Sequence, residues 1–388
     1  MLNPKLVLCK RLVLIINFCI YCVNIIAFGK LNPISLTIIL CIIFTNLLDL
    51  FFYFYKIVYQ HSNLLFMNKI IDCFTFFNEL DLLEIRLKYL YDAVDYFVIV
   101  EADTSFNGDS KPLIFKENSL RFAPFVDKIV YVPIKIKKFE QTTKVAWKRE
   151  VYQRDCIKQG MMKLQLNDSD IVLISDIDEI PKKEILFDLK NNSVKNIPNV
   201  SKKSNFALLM NVLFYAVKSV FYKVINKDIW KLKSQLKLIY FILFKNFPTP
   251  YSFEMNNNYY FLNYKKKNSY WPGLQCVKAI WIKKFTPNEI RAFRVNPIQI
   301  IKDSGWHFSF LGGKEMIKYK IKNFSHQEYN IPEIVSDDYI EFCIQNGYSL
   351  FEYYKNPSAK PKYEKLDLSY LPLDLRNIVI KYKNLIVE

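Results

Sequence analysis

The stretch Asp170-Ile-Val-Leu-Ile-Ser-Asp-Ile-Asp-Glu-Ile-Pro181 decides how the rest of the chain is read. Ile171 to Ile174 form an unbroken apolar run in which only Leu173 is not β-branched. Such a run, with no polar alternation, predicts a strand buried on both faces in the middle of a parallel sheet. It ends in Ser175, Asp176, Ile177, Asp178 and Glu179, and Pro181 is expected to open a helix from Lys182 to Leu189. Ligands of open α/β sheets lie at the carboxyl ends of the strands, so these carboxylates fall where such folds place their chemistry. If strand geometry continues past Ser175, Asp176 and Asp178 point to one side. Two carboxylates held together there call for a cation, and an all-oxygen ligand set favours Mg2+, Mn2+ or Ca2+ over zinc. Such an ion would neutralise a departing diphosphate; a solvated acidic turn is the plain alternative.

Working towards the N-terminus, Tyr96 to Val100 and Lys128 to Val132 are further apolar strands, and Ile70 to Phe74 is a candidate first strand. Asn78 is placed to cap a helix whose first turn holds Glu79 and Asp81 and whose Leu80, Leu83, Leu87 and Leu90 share a face. Trp147 to Leu166 reads as a helix carrying Arg149, Glu150 and Arg154. Strands alternating with helices in this order predict an α/β fold with right-handed crossovers. Towards the C-terminus, Phe206 to Phe247 is apolar and rich in lysine, and is expected as an inserted helix pair packed on the domain. Asn258 to Tyr264 and Val277 to Ile282 are expected strands, Lys314 to Lys322 a helix, and Pro332 to Glu388 a wrapping tail. The expected organisation is a membrane anchor over 1–60, a catalytic domain over 68–330 with an insertion at 205–250, and the tail over 331–388.

Among its 388 residues the chain has 54 Lys and Arg against 37 Asp and Glu, a net charge of +17. The positive charge is spread along the chain with no Arg-rich block, so it does not point to nucleic acid, and it suits an anionic donor. Three histidines, at 61, 307 and 326, leave little for structural zinc, and the cysteines are expected as buried thiols. Leu12 to Phe28 and Ile34 to Tyr55 are each about long enough to span a bilayer, which needs about 20 apolar residues. They predict N-terminal transmembrane helices, as a hairpin of two or as one signal-anchor, with the lipid bilayer as a partner.

With these pieces in place the chain resembles glycosyltransferase family 17. The resemblance runs through Asp72-Cys-Phe-Thr-Phe-Phe-Asn-Glu-Leu-Asp-Leu-Leu-Glu-Ile-Arg86, Glu101, Phe106-Asn-Gly108 and Lys111-Pro112. It continues through Arg149-Glu-Val-Tyr-Gln-Arg154, Ser175-Asp-Ile-Asp-Glu-Ile-Pro181, Gly305-Trp-His-Phe-Ser309 and Ser325-His-Gln-Glu328. It implies a GT-A-like fold with a mixed, mostly parallel sheet flanked by helices. It also implies UDP-GlcNAc as donor, Mn2+ or Mg2+, a glycan or glycoprotein acceptor, inversion at the sugar, and a Golgi-type membrane location in a eukaryote. The insertion at 205–250 and the two apolar N-terminal runs depart from the family.

Within that frame Asp178 is expected as metal ligand, Asp176 at the ribose or a metal-bound water, and Glu179 in support. Arg149 or Arg154 is expected on the diphosphate, or else in ion pairs with Glu150 or Asp155. Glu101 and Asp103 line the donor pocket or cap a turn, and Asn78 and Glu79 meet the uridine or cap the helix. His307 is a candidate base or metal ligand, and Trp306 is placed to stack on a sugar. Two other classes compete. An apolar strand followed by Asp-x-Asp also resembles haloacid-dehalogenase-type phosphohydrolases, and a non-catalytic glycan-binding protein would keep the fold without turnover.

Overall fold

The computed structural model describes residues 68–387, except 141, 143, 192–199, 203–233, 235–236, 243–244 and 246. The chain divides into Met1–Met67 and Asn68–Glu388. Both expected membrane runs therefore lie outside the described residues, as does most of the expected insertion. Among the described residues no helix is long and apolar enough to cross a membrane.

The described strands are β1 (Ile70–Phe76), β2 (Tyr96–Ala102), β3 (Ile129–Ile134), β4 (Ile171–Asp176), β5 (Glu179–Pro181), β6 (Val200–Lys202), β7 (Tyr251–Tyr259), β8 (Tyr264–Lys278), β9 (Gln299–Ser309) and β10 (Tyr363–Lys365). They form one sheet in the order β3-β2-β1-β4-β8-β7-β9-β5, with β10 on β8 and β6 on β9. As the apolar run predicts, β4 lies mid-sheet, parallel to β1, with Val172, Leu173 and Ile174 fully buried. Each such side chain contributes about 2 kcal/mol of burial. Ile171 and Leu173 join one core with Phe74, Phe97, Leu83 and Trp306, while Val172 and Ile174 join the opposite one with Val98, Ile157 and Trp281.

The expectation of a mostly parallel sheet does not hold. β1, β2, β3 and β4 pair in parallel, but β8 runs antiparallel to β4 and to β7, and β5 and β6 run antiparallel to β9. β7 and β9 make the remaining parallel pair. Only Tyr260 to Asn263 separate β7 from β8. A parallel connection needs roughly a dozen residues, so that link has to be a hairpin. Only Ile177 and Asp178 separate β4 from β5, although β8, β7 and β9 lie between them in the sheet order. The sheet must curl until its far edge returns to its middle. Gly305 permits the closure: opposite Pro181, with φ +159°, a Cβ there would sit 2.3 Å from the Ile180 carbonyl oxygen.

The principal helices are α1 (Leu80–Leu90), α2 (Val145–Asp155), α3 (Lys183–Lys190), α4 (Pro287–Arg291), α5 (Gly313–Asn323), α6 (Asp337–Asn346), α7 (Leu350–Lys355) and α8 (Leu373–Val379). α1 buries Leu83, Leu87 and Leu90 as its periodicity predicts, but its N-cap is Glu79 rather than Asn78. The long helix expected over 147–166 breaks at Cys156 into α2 and a short turn of helix, Ile157–Met161. Pro181 belongs to β5, so α3 starts at Lys183 rather than at the proline. Val277 and Lys278 end β8, and the strand expected to reach Ile282 gives way to a 3-10 turn. Near the C-terminus Asn263 donates to the carbonyls of Leu366 and Val387, fastening the tail across the β7–β8 turn. The described cysteines, Cys73, Cys156, Cys276 and Cys343, are free and buried.

Candidate active site

The acidic turn is held from beneath by Arg86. This side chain is fully buried in α1, with Nε and Nη2 on the two oxygens of Asp72 at 2.8 and 2.6 Å. Nη2 also meets Ser175 Oγ at 2.7 Å, and Nη1 reaches the carbonyls of Asp176, Ile177 and Glu179 at 2.9, 3.0 and 2.9 Å. A buried cation is tolerable only when its donors are met, and here one guanidinium meets the carbonyls of three turn residues.

With the backbone so fixed, the two aspartates take different partners. Asp176 Oδ1 accepts from Arg154 at 3.0 Å and Oδ2 from Arg291 at 2.9 Å. Asp178 Oδ2 accepts from Lys320 at 3.0 Å and lies 3.7 Å from His307 Nε2. Glu179 is fully buried, where it takes the Trp271 indole N–H at 2.6 Å, Arg291, and the Asp176 backbone N–H at 3.2 Å. Burial alone would raise both aspartates. Arg291, Arg154 and Arg294 instead hold Asp176 far below the usual carboxylate range, and Lys320 and His307 bring Asp178 below it. Burial lowers His307, against the pull of Asp178, so its ring stays neutral at neutral pH. That ring stacks on Trp271 at 4.3 Å and 11°.

These groups wall a cavity of about 460 Å3 at the carboxyl ends of β1 and β4. Its lining combines the charged Asp176, Asp178, Lys320 and Glu79 and the His307 imidazole with the aromatic Tyr259, Phe310, Phe324 and Phe351. Of the residues picked out in the sequence, Asp176, Asp178, His307, Glu79 and Arg154 come together here. His326, paired with Glu328 at 2.7 Å, lines the same cavity.

The others do structural work elsewhere. Glu101 is fully buried and accepts from Lys111, the Phe115 backbone and the Tyr131 hydroxyl, closing the loop after β2. Asp103 accepts from Thr104 and the Ile136 backbone. Arg149 donates to the Phe106 carbonyl and packs on Gly108, whose φ of +111° forms that loop's turn. Asn78 meets the Glu79 carboxylate through its backbone N–H. Trp306 is core, edge-on to Tyr89. Strand alternation explains it: with His307 facing the cavity, its neighbour in β9 must face the other way. Trp271, Arg291, Arg294 and Lys320 were not singled out in the sequence as site residues. Trp271, Pro272 and Gly273 lie within β8, and no motif marks the three cations.

The divalent ion expected between Asp176 and Asp178 does not fit this donor set. Both oxygens of Asp176 are taken by guanidinia, and Asp178 is paired with an ammonium and an imidazole. Among the described residues no three His, Cys, Asp or Glu side chains converge to hold an ion. An acid pair already compensated by its own cations has no deficit for a metal to fill.

An acid- and histidine-lined cleft thus lies at the carboxyl edge of the parallel strands, where α/β folds place their ligands. Residues 57–200 match the family model of glycosyltransferase family 17, so over that segment the resemblance drawn from the sequence holds. β1 to β5 and the whole acidic turn fall inside the match, and Gly305 to Ser309 and Ser325 to Glu328 fall beyond it. The chain is 31% identical over 127 residues to the rat and human proteins named beta-1,4-mannosyl-glycoprotein 4-beta-N-acetylglucosaminyltransferase. The aligned part is 31% of this chain but only 23% of the rat protein and 24% of the human one.

Proposed function

We propose that the chain is an inverting glycosyltransferase that moves N-acetylglucosamine from UDP-GlcNAc to a glycan acceptor. The observation that carries this reading is the cavity in which Asp178 and His307 face each other at 3.7 Å beside Asp176, inside and next to the family-matched segment. The name of the rat and human relatives supports N-acetylglucosamine as the donor sugar. In the proposed reaction an acceptor hydroxyl oxygen forms the new bond to the anomeric carbon as the bond from that carbon to the diphosphate oxygen breaks on the opposite face. The hydroxyl proton passes to the Asp178–His307 pair, which burial leaves with a neutral imidazole. Lys320 fixes the Asp178 carboxylate, and the Trp271 face fixes the imidazole plane. GT-A-like describes the β1–β4 half in this reading, and Leu12 to Phe28 and Ile34 to Tyr55 would anchor the enzyme in a Golgi-type membrane. A phosphohydrolase is less well supported, because its nucleophilic aspartate must be free to attack, whereas Asp176 carries two guanidinia.

The test is transfer from radiolabelled UDP-GlcNAc to a panel of N-glycans by the full chain, against Asp178→Asn. Product with inverted linkage in the wild type and none in the variant supports the reading. Absence of product with every UDP-sugar and every glycan, from folded protein, would sink it.

A further inference from the structure

A second cavity, of about 900 Å3, lies against the first and shares Glu150 and Arg154 with it. Arg154, Arg291 and Arg294 line its wall, with Lys148 and the half-exposed Trp147. Arg154 and Arg291 are almost wholly buried, and the Nε of each has no partner. Their terminal nitrogens share Asp176, and Arg291 also holds Glu179. Arg294 is served worst: it donates to the Pro272 carbonyl at 3.4 Å and reaches Glu179 only at 3.9 Å. The two acids of this wall do not make up the difference, since Glu150 is paired with Arg154 and Asp155 accepts the Asn288 backbone N–H. Burial, and after it the charge of Arg291, pushes Arg294 down to about 10. Three guanidinium forks converging on one cleft, Arg294 the least paired of them, match the geometry of phosphate oxygens.

We propose that this second cavity is a diphosphate site, in which Arg291, Arg294 and Arg154 bind the phosphates of a nucleotide without a divalent ion. The choice of a nucleotide diphosphate over another anion of that size rests on the transferase reading. Asp176 is bonded to two of these arginines and also lines the first cavity, so a donor with its phosphates here directs its sugar to Asp178 and His307.

The experiment is calorimetric titration of the full chain with inorganic pyrophosphate and with UDP, in EDTA and then in Mn2+. Both ligands are expected to bind in EDTA. Arg294→Met should weaken pyrophosphate roughly tenfold or more, as expected for a lost charge-assisted hydrogen bond, with the melting temperature unchanged. Arg294→Lys, which keeps the charge and loses the fork, should weaken it less and serves if the methionine variant does not fold. Pyrophosphate binding only in Mn2+ overturns the proposal. So does UDP binding without pyrophosphate binding, or equal affinity in wild type and both variants. Arg294-dependent pyrophosphate binding in a protein that transfers no sugar would leave this site standing and remove the transferase reading. Sugar transfer with Arg294 irrelevant to pyrophosphate would do the reverse.

Discussion

The two halves of the sheet are built on different rules. From Ile70 to Asp176, the β1–β4 half is wholly parallel and in continuous register, with strands apolar on both faces. From Tyr251 to Ser309, β7 to β9 are mostly antiparallel, with register shifts at Ser252/Glu254, Asn256/Asn258 and Glu254/Asn256. The first half delivers Asp176 and, through the turn, Asp178. The second half and the helices beside it deliver Trp271, Arg291, Arg294, His307 and Lys320. A regular scaffold thus supplies the acids together with Arg86 and Arg154, and an irregular one supplies the remaining cations and the imidazole that face them.

The largest expected effect comes from cutting the tie between α1 and the turn. Arg86→Met leaves Asp72 buried and unpaired, and should cost about 3–5 kcal/mol, read as a fall in the denaturant midpoint. Asp72→Leu with Arg86→Met replaces the pair by apolar groups and should recover most of that stability. Transfer should not recover with it, because the carbonyls of Asp176, Ile177 and Glu179 have still lost their donor. A stable and fully active double variant would show that the turn is held by the β9 side instead.

Next in size is Asp178→Asn. It removes the charge facing Lys320 and His307 while keeping the shape, and should lower transfer by roughly two orders of magnitude and also lower the melting temperature at neutral pH. Acid sharpens the same point. The folded Asp176 and Asp178 carboxyls both lie below the unfolded value of about 3.9. The stability they contribute is therefore complete above about pH 4 and is lost as the pH falls through their folded values. Asp178→Asn should flatten that decline in a pH series of melting curves, and an unchanged slope would remove Asp178 from the account.

What could be read from the sequence follows the same division. Ile171 to Ile174 announced a central strand because burial on both faces leaves a compositional mark. Asp176 and Asp178 were visible as a site because they follow it. The halves of the Arg86–Asp72 pair were in plain sight in Asp72 to Arg86, but neither announces a partner 14 residues away. Arg291 meets Asp176 across 115 positions and Lys320 meets Asp178 across 142, and nothing local to either cation encodes its partner. Glu101 and Asp103 sat at an expected strand end and Arg149 on an expected helix, yet their charges are spent on loop backbone and neighbouring side chains. Position in an element predicts proximity to a site, not the direction a side chain takes. The mostly parallel sheet was the natural extension of β1–β4, and the four-residue link between β7 and β8 is what overturned it.

The smallest effect tests whether the irregular half aims its cations by local structure. α4 is only five residues long, and it is begun by a capping box: Thr286 Oγ1 accepts the Glu289 N–H at 3.2 Å while Glu289 accepts the Thr286 N–H at 2.9 Å. Pro287 fits its first position, and the Asn288 N–H ties it to Asp155 at 2.9 Å. Arg291 ends this helix, so the cap governs how firmly that guanidinium is presented to Asp176. Thr286→Ala should cost about 1 kcal/mol of global stability. If the helix itself aims Arg291, pyrophosphate affinity should fall in Thr286→Ala, by less than in Arg294→Met. If affinity holds while stability drops, the aim comes from the buried contacts of Arg291 with Glu179 and the Gly273 carbonyl, and the cap serves only to fold the segment.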